Sequence, residues 1–261
     1  MKYLFVFLLV GLTSKINAQT ETALQPKIER NTIHWQGYEW LTQERWGVYH
    51  PDKPIVWYDP SQVVIEDDLL LLGCQYNPTT INDITIPFSV GLVSCTEKFE
   101  YGTFEIEAKL PHKQPNAWPA FWMWAFESWP PEIDVFEAYS NKKGRYFNWS
   151  ISALWGKFWR CATNVHLGKL PNNYNVRAKN HWMGWKSPSK RFIKYKVEWF
   201  EDKIEVYYDG RSVRKITDES VLSQLRGTTM NVIINNSIKS EHNKKKQFFF
   251  EVKSFTYKPK Q

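Results

Sequence analysis

Strict alternation of apolar and charged side chains over residues 101–111 constrains the fold more than any other feature of the chain. The apolar members are Phe104, Ile106, Ala108 and Leu110, and the charged members are Glu105, Glu107 and Lys109. A period of two is typical of an antiparallel strand with one face on a core and the other in water. Glu105 and Glu107 are therefore expected on a solvated face rather than in a catalytic pair.

Other stretches extend this β pattern along the chain. Further strands are predicted at 63–72, where acids turn a hairpin, and at 89–95, 118–124, 146–155, 193–199, 204–208, 229–235 and 248–257. Helical periodicity is nearly absent outside 219–225. Residues 156–190, rich in Asn, Lys and Arg, are interpreted as long loops over one face. Because no repeat or linker divides the chain, we expect one antiparallel sandwich.

Residues 1–18 have the pattern of a secretory signal peptide, with Lys2 before an apolar core and a small-residue cleavage site ending at Ala18. The apolar core is about ten residues long, which is too short to span a bilayer, and no later stretch is long enough. We therefore expect a secreted or periplasmic protein with residues 19–261 as a single domain.

Composition limits the classes of site that the chain can form. Fourteen Trp, thirteen Tyr and sixteen Phe suit a large sandwich core, and the Trp excess also suits sugar binding, since pyranose faces stack on indoles. Three cysteines are too few for a disulfide framework, and they leave open whether Cys74 and Cys95 form one bridge. The six histidines show no metal-ligand spacing, and no Gly-rich phosphate loop is present.

The stretch EIDVFE at residues 132–137 places three carboxylates within an otherwise apolar, β-prone run. Side chains alternate along a strand, so Glu132 and Asp134 share a face with Phe136. A β-bulge at Val135-Phe136 would return Glu137 to that acidic face. Retaining glycoside hydrolysis requires such an arrangement, because it uses two carboxyl groups about 5–5.5 Å apart, one ionised and one protonated. Acid spacing alone is a weak signal.

The same stretch resembles the bulged active-site pattern Glu-x-Asp-x-x-Glu of glycoside hydrolase family 16, as in laminarinases, agarases, porphyranases and carrageenases. Residues 101–111 and 118–123 are similar to two strands that precede this pattern in the family. Residues 195–210 and 249–257 resemble two strands that follow it. The matched segments keep the family's order along the chain, from about residue 63 to residue 257, which makes a chance resemblance improbable.

This resemblance implies a concanavalin-like β-jelly-roll sandwich of two curved antiparallel sheets with an open concave cleft. It implies Glu132 as nucleophile, Glu137 as acid/base and Asp134 as the carboxylate assisting between them. The residues expected to bind substrate are Trp118, Trp129, Trp155 and Asn235. Glucanases of the family often carry a histidine in the strand after the motif. Residues 151–155 contain none, which weakens the case for a laminarin-type substrate.

We therefore expect a secreted retaining endo-β-glycanase. An anionic chain such as a sulfated algal galactan would suit the cations expected in the loops, although a solvated basic surface explains them equally well. These cations are Lys157, Arg160, Lys169, Arg177, Lys179, Lys186 and Lys190. The alternatives are a β-1,3-glucanase, a transglycosylase and a non-catalytic carbohydrate-binding protein. We expect no cofactor and no metal in the site, with a structural calcium ion left open, and a monomer that binds polysaccharide and not nucleic acid.

Overall fold

The computed structural model describes residues 31–45, 47–50, 54–148, 158–182, 185–240 and 247–260. The expected signal peptide at 1–18, Trp155 and Lys157 lie outside these ranges, and the predictions made for them stay predictions. Across the described ranges, no helix combines the length and the apolar character needed to cross a membrane.

Strands dominate the described residues, and we number them β1–β18 in chain order. They are β1 Thr32–Trp35, β2 Tyr38–Leu41, β3 Val56–Tyr58, β4 Val63–Glu66, β5 Leu69–Ile81, β6 Ile84–Val90, β7 Leu92–Cys95, β8 Gly102–Lys109, β9 Ala120–Trp124, β10 Glu132–Ala138, β11 Phe147–Asn148, β12 Phe158–Leu167, β13 Tyr174–Trp182, β14 Ile193–Trp199, β15 Ile204–Tyr208, β16 Arg211–Ile216, β17 Asn231–Asn235 and β18 Phe248–Lys258. One helical turn, α1 Glu219–Leu222, and 3₁₀ turns at Pro60–Gln62 and Phe126–Ser128 complete the elements.

The strands form two sheets. Sheet 1 has the order β1-β2-β7-β17-β9-β10-β12-β11, with β13 also paired to β12, and sheet 2 has the order β16-β15-β14-β8-β18-β5-β6-β3, with β4 also paired to β5. Within the described residues every strand pair is antiparallel except β3 with β6. This is the predicted jelly-roll sandwich, with one parallel pair at an edge of sheet 2.

Strand β8 lies where the alternation of apolar and charged residues predicted it, and its side chains alternate between the core and the surface. Phe104, Ile106 and Ala108 are fully buried between the sheets. Glu105 faces outward and lies 3.0 Å from Lys194, and Glu107 lies 3.2 Å from Lys253. These partly exposed ion pairs confirm the solvated-face interpretation, and pairs of this kind contribute little to stability.

The segment predicted as one strand at 89–95 is two strands that belong to different sheets. The chain leaves β6 in sheet 2, turns at Gly91 and enters β7 in sheet 1. A Cβ atom at residue 91 would lie 2.3 Å from the backbone oxygen of Gln62. Only glycine therefore lets the backbone of Gln62 approach this corner.

The interpretation of residues 156–190 as loops is wrong. Strands β12 and β13 occupy most of this segment and extend sheet 1 beside β10. Arg160, Arg177 and Lys179 accordingly lie on strands. The helix predicted at 219–225 is confirmed only as the single turn α1. Cys74, Cys95 and Cys161 are all buried free thiols, so Cys74 and Cys95 are not bridged.

Candidate active site

The predicted bulge in β10 is present and brings the three acids onto one face. Asp134 pairs with Trp122 of β9, and the next pair on that side is Phe136 with Phe121, so Val135 is the additional residue. Val135 and Phe136 are both fully buried in the core between the sheets. The Tyr208 hydroxyl donates a 2.8 Å hydrogen bond to the carbonyl of Val135. Sheet 2 therefore satisfies a polar backbone group at the bulge.

Three rows of paired residues cross sheet 1 at the site, and members of a row share a face because they lie opposite each other. The rows are Asn231-Trp124-Glu132-His166-Asn175, Ile233-Trp122-Asp134-Asn164-Arg177 and Asn235-Ala120-Glu137-Ala162-Lys179. Each row thus has one acid at its centre. Large side chains flank Glu132 on both sides, whereas alanines of β9 and β12 flank Glu137. Side chains from strands beyond β9 and β12 can therefore reach Glu137.

Glu132 lies within a cluster of nitrogen donors and a second acid. The Trp129 indole Nε1 donates a 2.7 Å hydrogen bond to Oε2 of Glu132. Nε2 of His166 lies 3.5 Å from Oε1 of Glu132 and 3.4 Å from Oδ2 of Asp134. Burial and the neighbouring Asp134 carboxylate raise the pKa of Glu132 well above its ordinary value, and the Trp129 hydrogen bond opposes that rise.

Glu137 faces cations instead. Nη2 of Arg177 lies 3.2 Å from Oε2 of Glu137 and also donates to the Tyr139 hydroxyl. Burial, followed by the Asp134 carboxylate, raises the pKa of Glu137, while Tyr139, Arg177 and Lys239 lower it. The Lys239 ammonium lies 3.4 Å from the centre of the Tyr139 ring.

Asp134 lies between the two glutamates and is nearly inaccessible, with 4% of the residue exposed. Among the described residues its Oδ2 atom makes no hydrogen bond of good geometry, although Nε2 of His166 lies 3.4 Å away. Burial and the Asp134 carboxylate raise the pKa of both Glu132 and Glu137, so these two glutamates retain a proton more readily than isolated acids do. A retained proton of this kind is what paired acid and base chemistry requires.

The structure places the predicted binding residues at different positions along the line from Glu132 to Glu137 on β10. Trp129 binds Glu132 directly, which adds a hydrogen bond to the stacking role expected for it. Trp118 lies near the Glu137 end, with its ring 5.8 Å from the Tyr139 ring. Asn235 accepts a 2.8 Å hydrogen bond from Trp122 and stands in the row of Glu137. Trp155 is outside the described residues.

His166 is the principal residue that the sequence analysis missed. Strand β12 pairs with β10 and carries this histidine beside Glu132. Residues 151–155, where the sequence analysis looked for a histidine, lie outside the described residues. The signal was available, because Val165 and Leu167 alternate with Asn164 and His166 as in a half-buried strand. The Lys- and Arg-rich surroundings concealed it.

The same three side chains could also hold a metal ion. Glu132, Asp134 and His166 each present one ligand atom within 4.8 Å of the others. Two carboxylates and an imidazole suit a transition metal better than calcium, which prefers six to eight oxygen ligands.

Comparisons with known proteins identify relatives of the chain. The family model described as "Glycosyl hydrolases family 16" matches residues 54–249. Endo-1,3-1,4-beta-glycanase EglC of Rhizobium meliloti (strain 1021) is 28% identical over 195 residues, which are 69% of this chain and 38% of that protein. Glucan endo-1,3-beta-glucosidase A1 of Niallia circulans is 29% identical over 51% of this chain and 18% of its own length. The chain thus spans well under half the length of these relatives.

Solved structures share the fold. The kappa-carrageenase from Pseudoalteromonas carrageenovora, in complex with an oligotetrasaccharide of kappa-carrageenan, superposes with a TM-score of 0.63 at 16% identity, covering 87% of this chain and 90% of that chain. At this identity the likeness is one of fold.

Proposed function

Because the chain belongs to glycosyl hydrolases family 16, we propose that it is an endo-β-glycanase that cleaves β-linked polysaccharide with retention of configuration. The observation that carries the proposal is the bulge at Val135-Phe136, which puts Glu132, Asp134 and Glu137 on one face of sheet 1. A binding protein has no need for three crowded carboxylates, because crowding them raises the free energy of the site. This favours catalysis over a lectin-like role.

In the first step, the Glu132 carboxylate attacks the anomeric carbon while Glu137 donates its proton to the departing glycosidic oxygen. The carbon–oxygen bond to the leaving sugar breaks, and an ester forms between Glu132 and the retained sugar. In the second step, water attacks the same carbon and Glu137 accepts the proton of that water. The glycosyl ester breaks, and Glu132 is regenerated as a carboxylate.

The neighbours of each glutamate suit its proposed role. Glu132 must be ionised to attack; burial and Asp134 raise its pKa, and the hydrogen bond from Trp129 opposes that rise and favours the ionised form. Glu137 must be protonated first and ionised later, so its pKa has to lie near the working pH. Burial and Asp134 raise that pKa, and Arg177 limits the rise. Asp134 therefore acts on both glutamates through its charge.

Two substrate classes are supported by different observations. The relatives carry names of β-1,3 and β-1,3-1,4 glycanases, and His166 beside Glu132 removes the objection to a neutral glucan. Arg177 and Lys239 at the Glu137 end favour a chain with sulfate or carboxylate substituents, such as a sulfated galactan. We propose that the enzyme is exported, with residues 1–18 removed, and acts as a monomer on one of these polymers.

Product analysis with two variants tests the assignment. Glu132→Ala and Glu137→Ala are incubated with laminarin, mixed-linkage glucan, agarose, porphyran and κ-carrageenan, with and without sodium azide. Both variants should lose turnover by at least about a hundredfold, the size expected for removing a catalytic carboxyl group. Azide should rescue Glu132→Ala by forming an α-glycosyl azide, because one displacement inverts the anomeric carbon.

A β-glycosyl azide is expected from Glu137→Ala with an activated aryl glycoside, because azide then attacks the ester on Glu132. Glu105→Gln, on the solvated face of β8, is the matched control and should retain full activity. Near-wild-type turnover in either alanine variant would show that the site is misassigned. Binding of a polymer by a wild-type protein that cleaves none of them would support the lectin-like alternative.

A further inference from the structure

A basic groove lies at the end of the sandwich, apart from the three acids. Its volume is about 720 Å³, within the range of ligand-binding pockets. The groove is lined by residues from three connections, those between β8 and β9, between β10 and β11, and between β13 and β14. Glu132, Asp134, Glu137 and Trp129 do not line it.

Five cations line the groove, and the described residues that line it include no carboxylate. They are Lys113, Lys142, Lys143, Arg145 and Lys190. In the part of the chain that the structure describes, none of the five forms an ion pair, as the salt bridges there involve other residues. Like charges held this close repel one another and attract anions.

Nearby acids are already neutralised by other cations. Asp209 is bound by Lys186 and by Arg191, whose Nη2 lies 2.9 Å from Oδ2 of Asp209. Glu251 lines a neighbouring depression and lies 2.6 Å from Lys109. These two acids therefore do not neutralise the five cations of the groove.

The turn that carries three of the cations is fixed by its own hydrogen bonds. Oδ1 of Asn141 accepts the backbone N–H groups of Lys143 and Arg145 at 2.9 and 3.1 Å. Gly144 has a φ of +69°, and a Cβ atom there would lie 2.3 Å from the backbone carbon of Lys113. The two lysine-bearing connections therefore touch, which lowers the entropy cost of presenting their charges to a ligand.

A large aromatic surface lies beside these charges. Trp185 is 62% exposed and lines the groove together with Phe147. An indole face in water is suited to stack on a pyranose ring. Solvated lysines alone would need no aromatic neighbour. An indole beside five cations has the features that recognise a sugar chain with negative substituents.

We propose that this groove is a second, non-catalytic binding site for an anionic polysaccharide, with Trp185 stacking on a sugar ring and the five cations binding its sulfate or carboxylate groups. The choice of a glycan as ligand rests on the proposed function. Tethering of the polymer there would raise its local concentration at the catalytic face.

Binding is measured by affinity electrophoresis and isothermal titration in a Glu132→Gln background, so that no polymer is consumed. The probes are κ-carrageenan for sulfate, polygalacturonate for carboxylate, laminarin as a neutral polymer and double-stranded DNA. The groove variant combines Lys142→Ser, Lys143→Ser and Arg145→Ser. The control combines Lys215→Ser, Lys253→Ser and Lys258→Ser, which removes the same charge from sheet 2.

The groove variant should lose at least about tenfold in affinity for one of the anionic polymers, while the control changes by less than about twofold. Trp185→Ala should weaken polymer binding and leave binding of inorganic sulfate unchanged. The polymer that responds identifies sulfate or carboxylate as the ligand. Equal losses in both triple variants, or no effect of Trp185→Ala, would overturn the proposal, as would groove-dependent binding of DNA in preference to glycans.

Failure of the groove and failure of the proposed activity are distinguishable. Groove-dependent binding by a protein that cleaves no polymer would retain the groove and refute the activity. Cleavage of an anionic polymer with wild-type kcat and KM in the groove variant would retain the activity and refute the groove.

Discussion

Replacing Arg177 by methionine is expected to move the alkaline limb of the pH–rate profile upward by about one pH unit. Burial and the Asp134 carboxylate raise the pKa of Glu137, and Arg177 opposes that rise. The guanidinium stabilises the ionised carboxylate, so its removal leaves Glu137 protonated to higher pH. Because the proposed first step requires a protonated Glu137, activity should persist above the wild-type optimum.

The magnitude follows from the geometry of the pair. Nη2 of Arg177 and Oε2 of Glu137 are 3.2 Å apart, and the two side chains are 32% and 15% exposed. Solvent therefore screens the pair, and Coulomb's law with the dielectric constant of water gives about 1.3 kcal/mol at this separation. That free energy corresponds to about one pKa unit. A dry environment would give more, so one unit is the conservative expectation.

The assay is kcat/KM as a function of pH on a soluble oligosaccharide. Arg177→Lys keeps a positive charge and should leave the alkaline limb near its wild-type position. Lys253→Met removes a charge from sheet 2, where Lys253 pairs with Glu107 at 3.2 Å, and should shift neither limb. An unchanged or lowered alkaline pKa in Arg177→Met would refute the reasoning. An equal shift in Lys253→Met would show that net charge, not this contact, sets the limb.

Two further substitutions test single contacts. Trp129→Phe keeps an aromatic ring but removes the 2.7 Å hydrogen bond to Glu132. Such a bond to a charged group contributes about 1.5–3 kcal/mol. The acid limb of the kcat/KM profile should therefore move to higher pH by about one to two units. An acid limb that stays in place would contradict the role given to the indole. Gly91→Ala forces a Cβ against the Gln62 carbonyl, and urea unfolding should show a loss of about 1–3 kcal/mol. An unchanged midpoint would show that the corner between the sheets relaxes at no cost.

Local patterns in the sequence predicted the elements in which the polarity of each residue alone determines whether it is buried or exposed. Strand β8 alternates between core and solvent, so its period of two identifies it without any other strand. The bulge in β10 was predictable because Phe136 and Glu137 have opposite preferences for burial, and only an extra residue satisfies both. Hairpin turns at Asp67-Asp68 and Asp209-Gly210 likewise follow from residues that tolerate positive φ.

Strands β12 and β13 could not be predicted from a local pattern, because many of their side chains face the acids of the site instead of the apolar core. Asn164, His166 and Arg177 point toward the acids of β10, so the segment is polar and basic where a strand is usually apolar. The charges that suggested loops are in part the partners that compensate the buried carboxylates. Pairing between residues some thirty positions apart is a tertiary property that a local pattern does not contain.

The difference between the two glutamates illustrates the same limit. Glu132 and Glu137 have identical side chains on one strand, each 15% exposed, and both have a raised pKa caused first by burial. What separates them is the row in which each stands. Trp124 and His166 flank Glu132, whereas Ala120 and Ala162 leave Glu137 within reach of Arg177. The proposed difference in role between the two glutamates therefore depends on side chains from strands that the motif does not include.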